Sequence, residues 1–398
     1  MATCPYCASN ASDAPGDAGT CGAFVCLYRH FCGSPPAVMR QSQPLPHLQP
    51  GEIRRIGIFR PGLIGDLVLA VPGLRALRNA FPGAEITLIA QPWAADLAER
   101  FSCVDRVLPL QELPWDWESP SPGGDDDIFL QEAVAYRYDL VLQLHADASA
   151  AARFALALGA RITAGFCRDE ELGGRFQLLL PMLEGEPEVF RVMKLAHALG
   201  GVPRGVHLEY PLLPRDLEEI QEHPALAAVF GQRPLVVLHP GARPPSRRWP
   251  LERFAAVANL LQETRRAAVV LVGGAEEVPL VEKVREGMEG YALNLAGKLS
   301  LGGLAALLTR ADLFVGNDSG PAQLAAAVAP RSLRIFGPAN RGRWAPLDRS
   351  RDRVVYREVE CSPCGYFECP IDHRCLAWIT LEEVMAEVDG LLEEANSE

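Results

Sequence analysis

At 398 residues the chain is too long for one ordinary hydrophobic core and suits two domains. Its 48% apolar and 22% charged content is that of a globular protein, and 38 basic against 50 acidic side chains leave a formal charge of −12. That balance excludes a general affinity for nucleic acid phosphates and argues against strong adhesion to anionic lipid, leaving only a local basic patch, such as the arginines of residues 331–353, to dock at a membrane surface.

No stretch approaches the roughly 18 uninterrupted apolar residues of a membrane span. The start, MATCPYCASN, has neither the basic opening nor the apolar core of a secretory signal. The expected location is the cytoplasm, with at most peripheral contact at the inner face of the inner membrane.

Residues 1–33 form a cysteine-rich extension, and 34–51, rich in Pro, Gln and Ser without apolar period, read as a linker. From residue 52 strands and helices alternate. RRIGIF (54–59) is a compact apolar run, and residues 66–79 have helical spacing around a Pro-Gly interruption. EITLIA (85–90), RVLPL and DLVLQL (139–144) read as strands, the last leading into an Ala-rich helix over 147–158 and then RITAGF. The acidic, Pro- and Gly-containing segment 115–127 reads as a surface loop. Residues 213–233 read as a hinge, after which a second alternation begins: LVVLHPG (235–241), a helix over 251–264, AAVVLVGG (267–274), LGGLAALLTR, DLFVGND (312–318), GPAQLAAAVA, RSLRIFG and a last helix over 381–395. Strands alternating with helices imply parallel sheets covered on both faces. The expected fold is α/β with two facing doubly wound, Rossmann-like domains and a cleft between them. Ligands bind at the carboxyl ends of such strands, so the chemistry belongs in the loops that follow them.

The loop after the first strand reads Arg60-Pro61-Gly62-Leu63-Ile64-Gly65-Asp66 and opens a helix. Asp66 stands where a carboxylate can accept a hydroxyl proton, with Arg60 near enough to tune it. It reads equally as a helix cap. Gly316-Asn317-Asp318-Ser319-Gly320-Pro321 also joins a strand to a helix. The amides at Ser319 and Gly320 suit a pyrophosphate at a helix start, Pro321 suits the first turn, and Asp318 suits a sugar or ribose hydroxyl. After His239-Pro240-Gly241-Ala242, the run Ser246-Arg247-Arg248-Trp249 offers cations to a leaving diphosphate. Trp249 reads as core and His239 as a hydrogen-bonded strand-end residue. Gly273 and Gly274 let backbone approach a nucleotide.

Together I-G-I-F-R-P-G-L-I-G-D, L-R-A-L-R, H-P-G-A with R-R-W-P-L-E-R-F, and G-N-D-S-G-P resemble glycosyltransferase family 9, the ADP-heptose:lipopolysaccharide heptosyltransferases and their relatives, over residues 53–385. The resemblance implies a GT-B architecture and inverting transfer that needs no cofactor. Residues 52–212 would hold the acceptor and residues 213–398 the nucleotide sugar. The catalytic aspartate falls on Asp66, with Arg60, Gly65 and His145 on the acceptor side. The donor side comprises Gly241, Ser246, Arg247, Arg248, Gly273, Gly274, Asp318, Ser319, Gly320, Pro321 and Gln323. Arg247 stands where lysine is usual, Gln323 where histidine is frequent, and Gly302 where an acidic donor contact is frequent. ADP-heptose is the default donor and a lipid-linked core saccharide the default acceptor. A protein or small-molecule acceptor, or a scaffold that has lost catalysis, are the alternatives.

Nine of the eleven cysteines cluster, as Cys4, Cys7, Cys21, Cys26 and Cys32 and as Cys361, Cys364, Cys369 and Cys375. In a reducing compartment such clusters favour metal ligation over disulfides. The tail C-S-P-C-G-Y-F-E-C-P-I-D-H-R-C-L resembles that of many family members, and the related autotransporter heptosyltransferases, which modify proteins, carry a cysteine-bound iron. Four thiolates suffice for a tetrahedral site, so iron, zinc and reduced thiols all stay open there. The N-terminal set with His30 reads as a small zinc knuckle or as an appendage with incidental cysteines. Cys103 and Cys167 read as buried hydrophobes.

Overall fold

A computed structural model of the chain describes residues 50–110, 125–145, 149–231 and 234–395. The N-terminal cysteine cluster with His30, the linker up to residue 49, and residues 115–124 of the acidic loop lie outside the described residues.

The chain divides after Leu208 into two compact units. Each is built on a six-stranded sheet. The first holds β1 (Arg55–Phe59), β2 (Glu85–Ala90), β3 (Arg106–Pro109), β4 (Leu140–Gln143), β5 (Ile162–Gly165) and β6 (Leu178–Leu179). Their order is β3-β2-β1-β4-β5-β6, with every neighbouring pair parallel. The second holds β7 (Leu235–His239), β8 (Ala268–Leu271), β9 (Leu293–Asn294), β10 (Leu313–Asn317), β11 (Ser332–Phe336) and β12 (Asp352–Tyr356). Their order is β12-β11-β10-β7-β8-β9, again all parallel. Both sheets therefore carry the same doubly wound topology, in which the order reverses beside the first strand of each unit. The reversal falls between β1 and β4 in one unit and between β7 and β10 in the other. The expected two Rossmann-like domains are what the residues form.

Four of the five β1 residues and every residue of β4, β7, β8 and β10 are buried, the pattern of strands covered on both faces. The edge strands β6, β9 and β12 go beyond the expected set. Two of them are only two residues long, too short to show a period. Residues 213–233 do more than link. They include the helix Pro214–Glu222, whose Asp216 accepts from the Leu213 amide at 2.7 Å and whose Glu219 accepts from the Ser300 amide at 2.7 Å. The last helix, Leu381–Ala395, has the expected bounds and packs Val384, Val388, Leu391 and Leu392 into the core of the second unit. Trp249 lies in that core, as expected, fully buried against Phe254.

The helix after β1, Ile64–Ala80, runs unbroken through Pro72 and Gly73. The interruption read from the sequence does not break it, because packing against the helix Glu188–Ala198 outweighs the hydrogen bond that Pro72 cannot donate. Gly73 is the point of closest approach: a Cβ there would lie 2.5 Å from Val192 Cγ1 and 3.0 Å from the Val192 carbonyl carbon. In an exposed helix Gly→Ala gains about 1 kcal/mol. Here forced overpacking, at about 1–3 kcal/mol, opposes it. Gly73→Ala is therefore expected to lower the denaturant midpoint of the chain rather than raise it, as chemical unfolding followed by circular dichroism would show.

Candidate active site

Both sheets place polar residues at the carboxyl edge, beside the strand where the order reverses. In the first unit β1 delivers Arg60, and Leu63 precedes the first residue of the Ile64–Ala80 helix. Asp66 sits in the first turn, and its Oδ2 accepts the Leu63 amide at 2.9 Å. The capping reading of Asp66 is thus realised by one oxygen. The other, Oδ1, lies 3.9 Å from Arg60 Nη2, and the side chain stays 29% exposed, open enough to meet a substrate hydroxyl. Gly62 makes this turn possible, since a Cβ there would lie 2.6 Å from the Asp66 carboxyl group. Gly65 is buried in the same turn.

Arg60 is itself buried, and its guanidinium donates to the Asp66 carbonyl at 2.8 Å, to the Leu144 carbonyl at 2.5 Å and to Glu188 at 2.8 Å. His145 follows β4 across the reversal from Arg60, its ring edge-on to Phe59 at 6.4 Å. Burial pulls the His145 imidazole below its ordinary value. Arg60 and Arg191 push the same way, while Asp66 and Glu188 oppose them.

In the second unit β7 ends at His239, a buried strand-end residue as expected. Its Nε2 meets Glu277 Oε2 at 3.0 Å, and its Nδ1 meets Ser319 Oγ at 3.2 Å. Three loops, after β7, β8 and β10, are thereby tied together. Burial disfavours the charge on Glu277, but hydrogen bonds from His239 and from the Gly274 amide outweigh it and hold the carboxyl below its ordinary value. Gly241 and Gly273 lie directly against Glu277. Sequence reading missed Glu277; an acid three residues beyond the Gly273-Gly274 pair was the available signal.

Asn317 is fully buried and joins the same loops: its Oδ1 accepts the Trp249 amide at 3.0 Å and its Nδ2 donates to the Pro240 carbonyl at 2.8 Å. Next to it Asp318 is only 4% exposed. Arg247 Nη1 donates to Asp318 Oδ2 at 3.2 Å, and Arg334 lies 4.0 Å from Oδ1. Burial pushes the Asp318 carboxyl above its ordinary value, against the pull of Arg334 and Arg247. Arg247 remains 32% exposed, so it can be held by Asp318 and still face an anion. Ser319 precedes the helix Gly320–Val328, with Pro321 in its first turn, so the start of this helix presents amides without intrahelical partners.

The remaining donor-side residues have internal roles. Ser246 is buried, donates through Oγ to the Tyr366 carbonyl at 2.7 Å and through its amide to the Phe367 carbonyl at 3.1 Å, and accepts from His373 Nε2 at 2.6 Å. Arg248 Nε donates to the Ala242 carbonyl at 2.8 Å. Gln323 is buried, donating to the Trp344 carbonyl at 2.8 Å.

For Cys361, Cys364, Cys369 and Cys375, where the sequence leaves iron, zinc and reduced thiols all open, the metal reading finds no support. All four are free thiols, and among the described residues no three His, Cys, Asp or Glu side chains are placed to hold a metal ion. Cys375 packs into the core beside Leu376 while Cys361 is exposed. Burial pushes the Cys375 thiol up to about 11, with the nearby thiols of Cys369, Cys361 and Cys364 adding to it. Among the described residues no helix is long and apolar enough to cross a membrane.

The family model described as glycosyltransferase family 9 (heptosyltransferase) matches residues 129–374. Lipooligosaccharide heptosyltransferase 2 of Haemophilus ducreyi is 26% identical, over 85% of this chain and 99% of its own length. Lipopolysaccharide heptosyltransferase 1 of Pseudomonas aeruginosa is 26% identical, over 78% of this chain and 86% of its own. Among solved structures, ADP-heptose LPS heptosyltransferase II of E. coli superposes with a TM-score of 0.68 at 22% identity, covering 86% of this chain and 99% of that one.

The His145 imidazole gives a pH prediction. An unfolded histidine titrates near 6.5 and the folded one lower. As pH falls through about 6.5, the unfolded chain therefore takes up a proton that the folded chain refuses. Stability is lost on that descent, while above it both states are neutral and the contribution is constant. His145→Gln is expected to flatten the fall in Tm between about pH 7 and 5, read as the difference between the two melting profiles.

Proposed function

The chain belongs to glycosyltransferase family 9, and from that premise we propose that it is a cytoplasmic, inverting heptosyltransferase of lipopolysaccharide core assembly, using ADP-heptose as donor and a lipid-linked core saccharide as acceptor. The observation that carries this reading is the half-exposed Asp66 carboxylate at the β1–β4 reversal, which keeps one oxygen outside its capping bond. The same reading makes the unit of β1–β6 the acceptor-binding domain and that of β7–β12 the donor-binding domain. Relatives whose names state heptosyl transfer to lipopolysaccharide or lipooligosaccharide, and a structural neighbour whose name states ADP-heptose, support the choice of donor and acceptor.

In the proposed reaction an acceptor hydroxyl attacks the anomeric carbon as Asp66 takes its proton. The new C–O bond forms on the face opposite the departing diphosphate, so the anomeric configuration inverts. Charge grows on the diphosphate as its bond to the sugar breaks. Arg247, steadied by Asp318, and the amides opening the Gly320–Val328 helix are the groups arranged to meet that charge. His145, disfavoured as an imidazolium, suits a neutral hydrogen-bonding contact to the acceptor. Arg60, Ser246, Arg248 and Gln323 act through the residues they hold.

Two measurements test this. Asp66→Asn should lower turnover of ADP-heptose with a heptose-deficient lipopolysaccharide acceptor by about 10²–10⁴-fold. Thermal stabilisation by ADP-heptose should be retained in the variant, because no part of the donor constellation is altered; near wild-type turnover would exclude Asp66 as the base. Separately, Arg247→Met should weaken stabilisation by ADP-heptose and raise its KM about tenfold or more. Equal stabilisation of the wild type by UDP- and GDP-sugars would remove the case for an adenine nucleotide.

A further inference from the structure

Arg60 turns inward from the end of β1 and spends its guanidinium on three acceptors drawn from three parts of the chain. Nε donates to the Asp66 carbonyl, Nη1 to the Leu144 carbonyl and Nη2 to Glu188 Oε1. Leu144 is the residue before His145. One rigid fork therefore bridges the backbone beneath Asp66 and the backbone beneath His145, and its far prong is held by a carboxylate 128 residues away.

Glu188 opens the Glu188–Ala198 helix, and the same Oε1 also accepts from Arg191. Glu188 is 1% exposed, and Arg60 and Arg191 are 2%. With Asp66 Oδ1 3.9 Å from Arg60, two guanidinium groups and two carboxylates form a quartet whose charges balance when Asp66 is ionised. A second ion pair joins Lys194 of the same helix to Glu186, just before its start. Burying three of the quartet's charged groups costs free energy that apolar residues would not incur, so the cluster calls for a role besides holding the fold.

We propose that Glu188 is a positioning residue for catalysis: through Arg60 it fixes the turn that presents the Asp66 carboxylate and the strand end that presents His145. The inference rests on Asp66 being the general base and assigns the setting of that base to a buried helix end with no part in proton transfer itself. Without the Glu188 charge, the carboxylate that Arg60 and Arg191 share is lost, and the fork is released from its far anchor.

The test combines two single substitutions with Asp66→Asn. Glu188→Gln keeps the shape and removes the charge. Arg60→Lys keeps the charge, but one ammonium group cannot replace a fork spanning three acceptors. In variants that fold, by far-UV circular dichroism and thermal melting, each should lower kcat for heptose transfer from ADP-heptose about 10–100-fold. KM for ADP-heptose should stay within about twofold, since only ground-state donor binding would raise it. In the Asp66→Asn background each should lower the residual rate by a much smaller factor, because only the strand end before His145 is left to position. The same factor in both backgrounds, or a loss in donor KM in place of kcat, would overturn the proposal while leaving Asp66 as base. Near wild-type turnover by Asp66→Asn alone would instead overturn the reading on which the proposal rests. If neither Glu188→Gln nor Arg60→Lys folds, the quartet belongs to folding and the proposal is wrong.

Discussion

A parallel sheet covered on both faces has little place for polar side chains except its carboxyl edge, and each one buried there must find a partner inside the protein. That constraint organises both units. At the reversal between β1 and β4 the Arg60 fork answers it, collecting two carbonyl oxygens and a carboxylate. At the reversal between β7 and β10 the Asn317 amide answers it, accepting from Trp249 and donating to Pro240. The two solutions differ in charge but not in logic. Each ties the loop after the first strand of the unit to a strand end across the reversal, which is where an open sheet of this topology binds its ligand.

The contrast in charge fits the work proposed for each edge. The first unit sets one part-exposed carboxylate against a buried cluster whose charge it balances, an arrangement suited to holding a proton acceptor in one geometry. The second holds a half-exposed arginine against a nearly buried aspartate and adds the start of a helix, an arrangement that receives negative charge. His239, clasped between Glu277 and Ser319, belongs to the framework of that edge, as strand-end burial implies.

The central strands were legible in the sequence because apolar runs such as IGIF, LVVL and LFVG have no other stable use between turn residues. Asp66 and the Asp318–Pro321 turn were legible because each follows such a run and opens a helix. Residues that work from a distance were not. Glu188, Arg191 and Lys194 recur at spacings of three, which reads as a solvated helix face, yet all three are buried. Tertiary pairing with Arg60, Glu186 and one another helps make that burial tolerable. Ser246 was legible as polar and near the arginines, but its partners are mostly backbone carbonyls of residues 366 and 367, which leave no side-chain signature. The second cysteine cluster stayed open between metal and reduced thiols for a related reason: spacing reports proximity along the chain, whereas ligation needs side chains arranged around one ion, and among the described residues no such set is placed.

Ser246 and Trp249 flank the arginines at 247 and 248, and their partners lie 120 to 130 residues further on, at Tyr366, His373 and Ile379. A ribosome releases the arginine loop long before it releases the segment that braces it. The first unit can therefore complete its charged quartet while the second is still being made, since every member of that quartet precedes the division at Leu208. The second unit has no such head start. The edge proposed to receive the diphosphate is finished only when nearly the whole chain has emerged, and a chain cut short before residue 366 would carry the arginines without the frame that braces them.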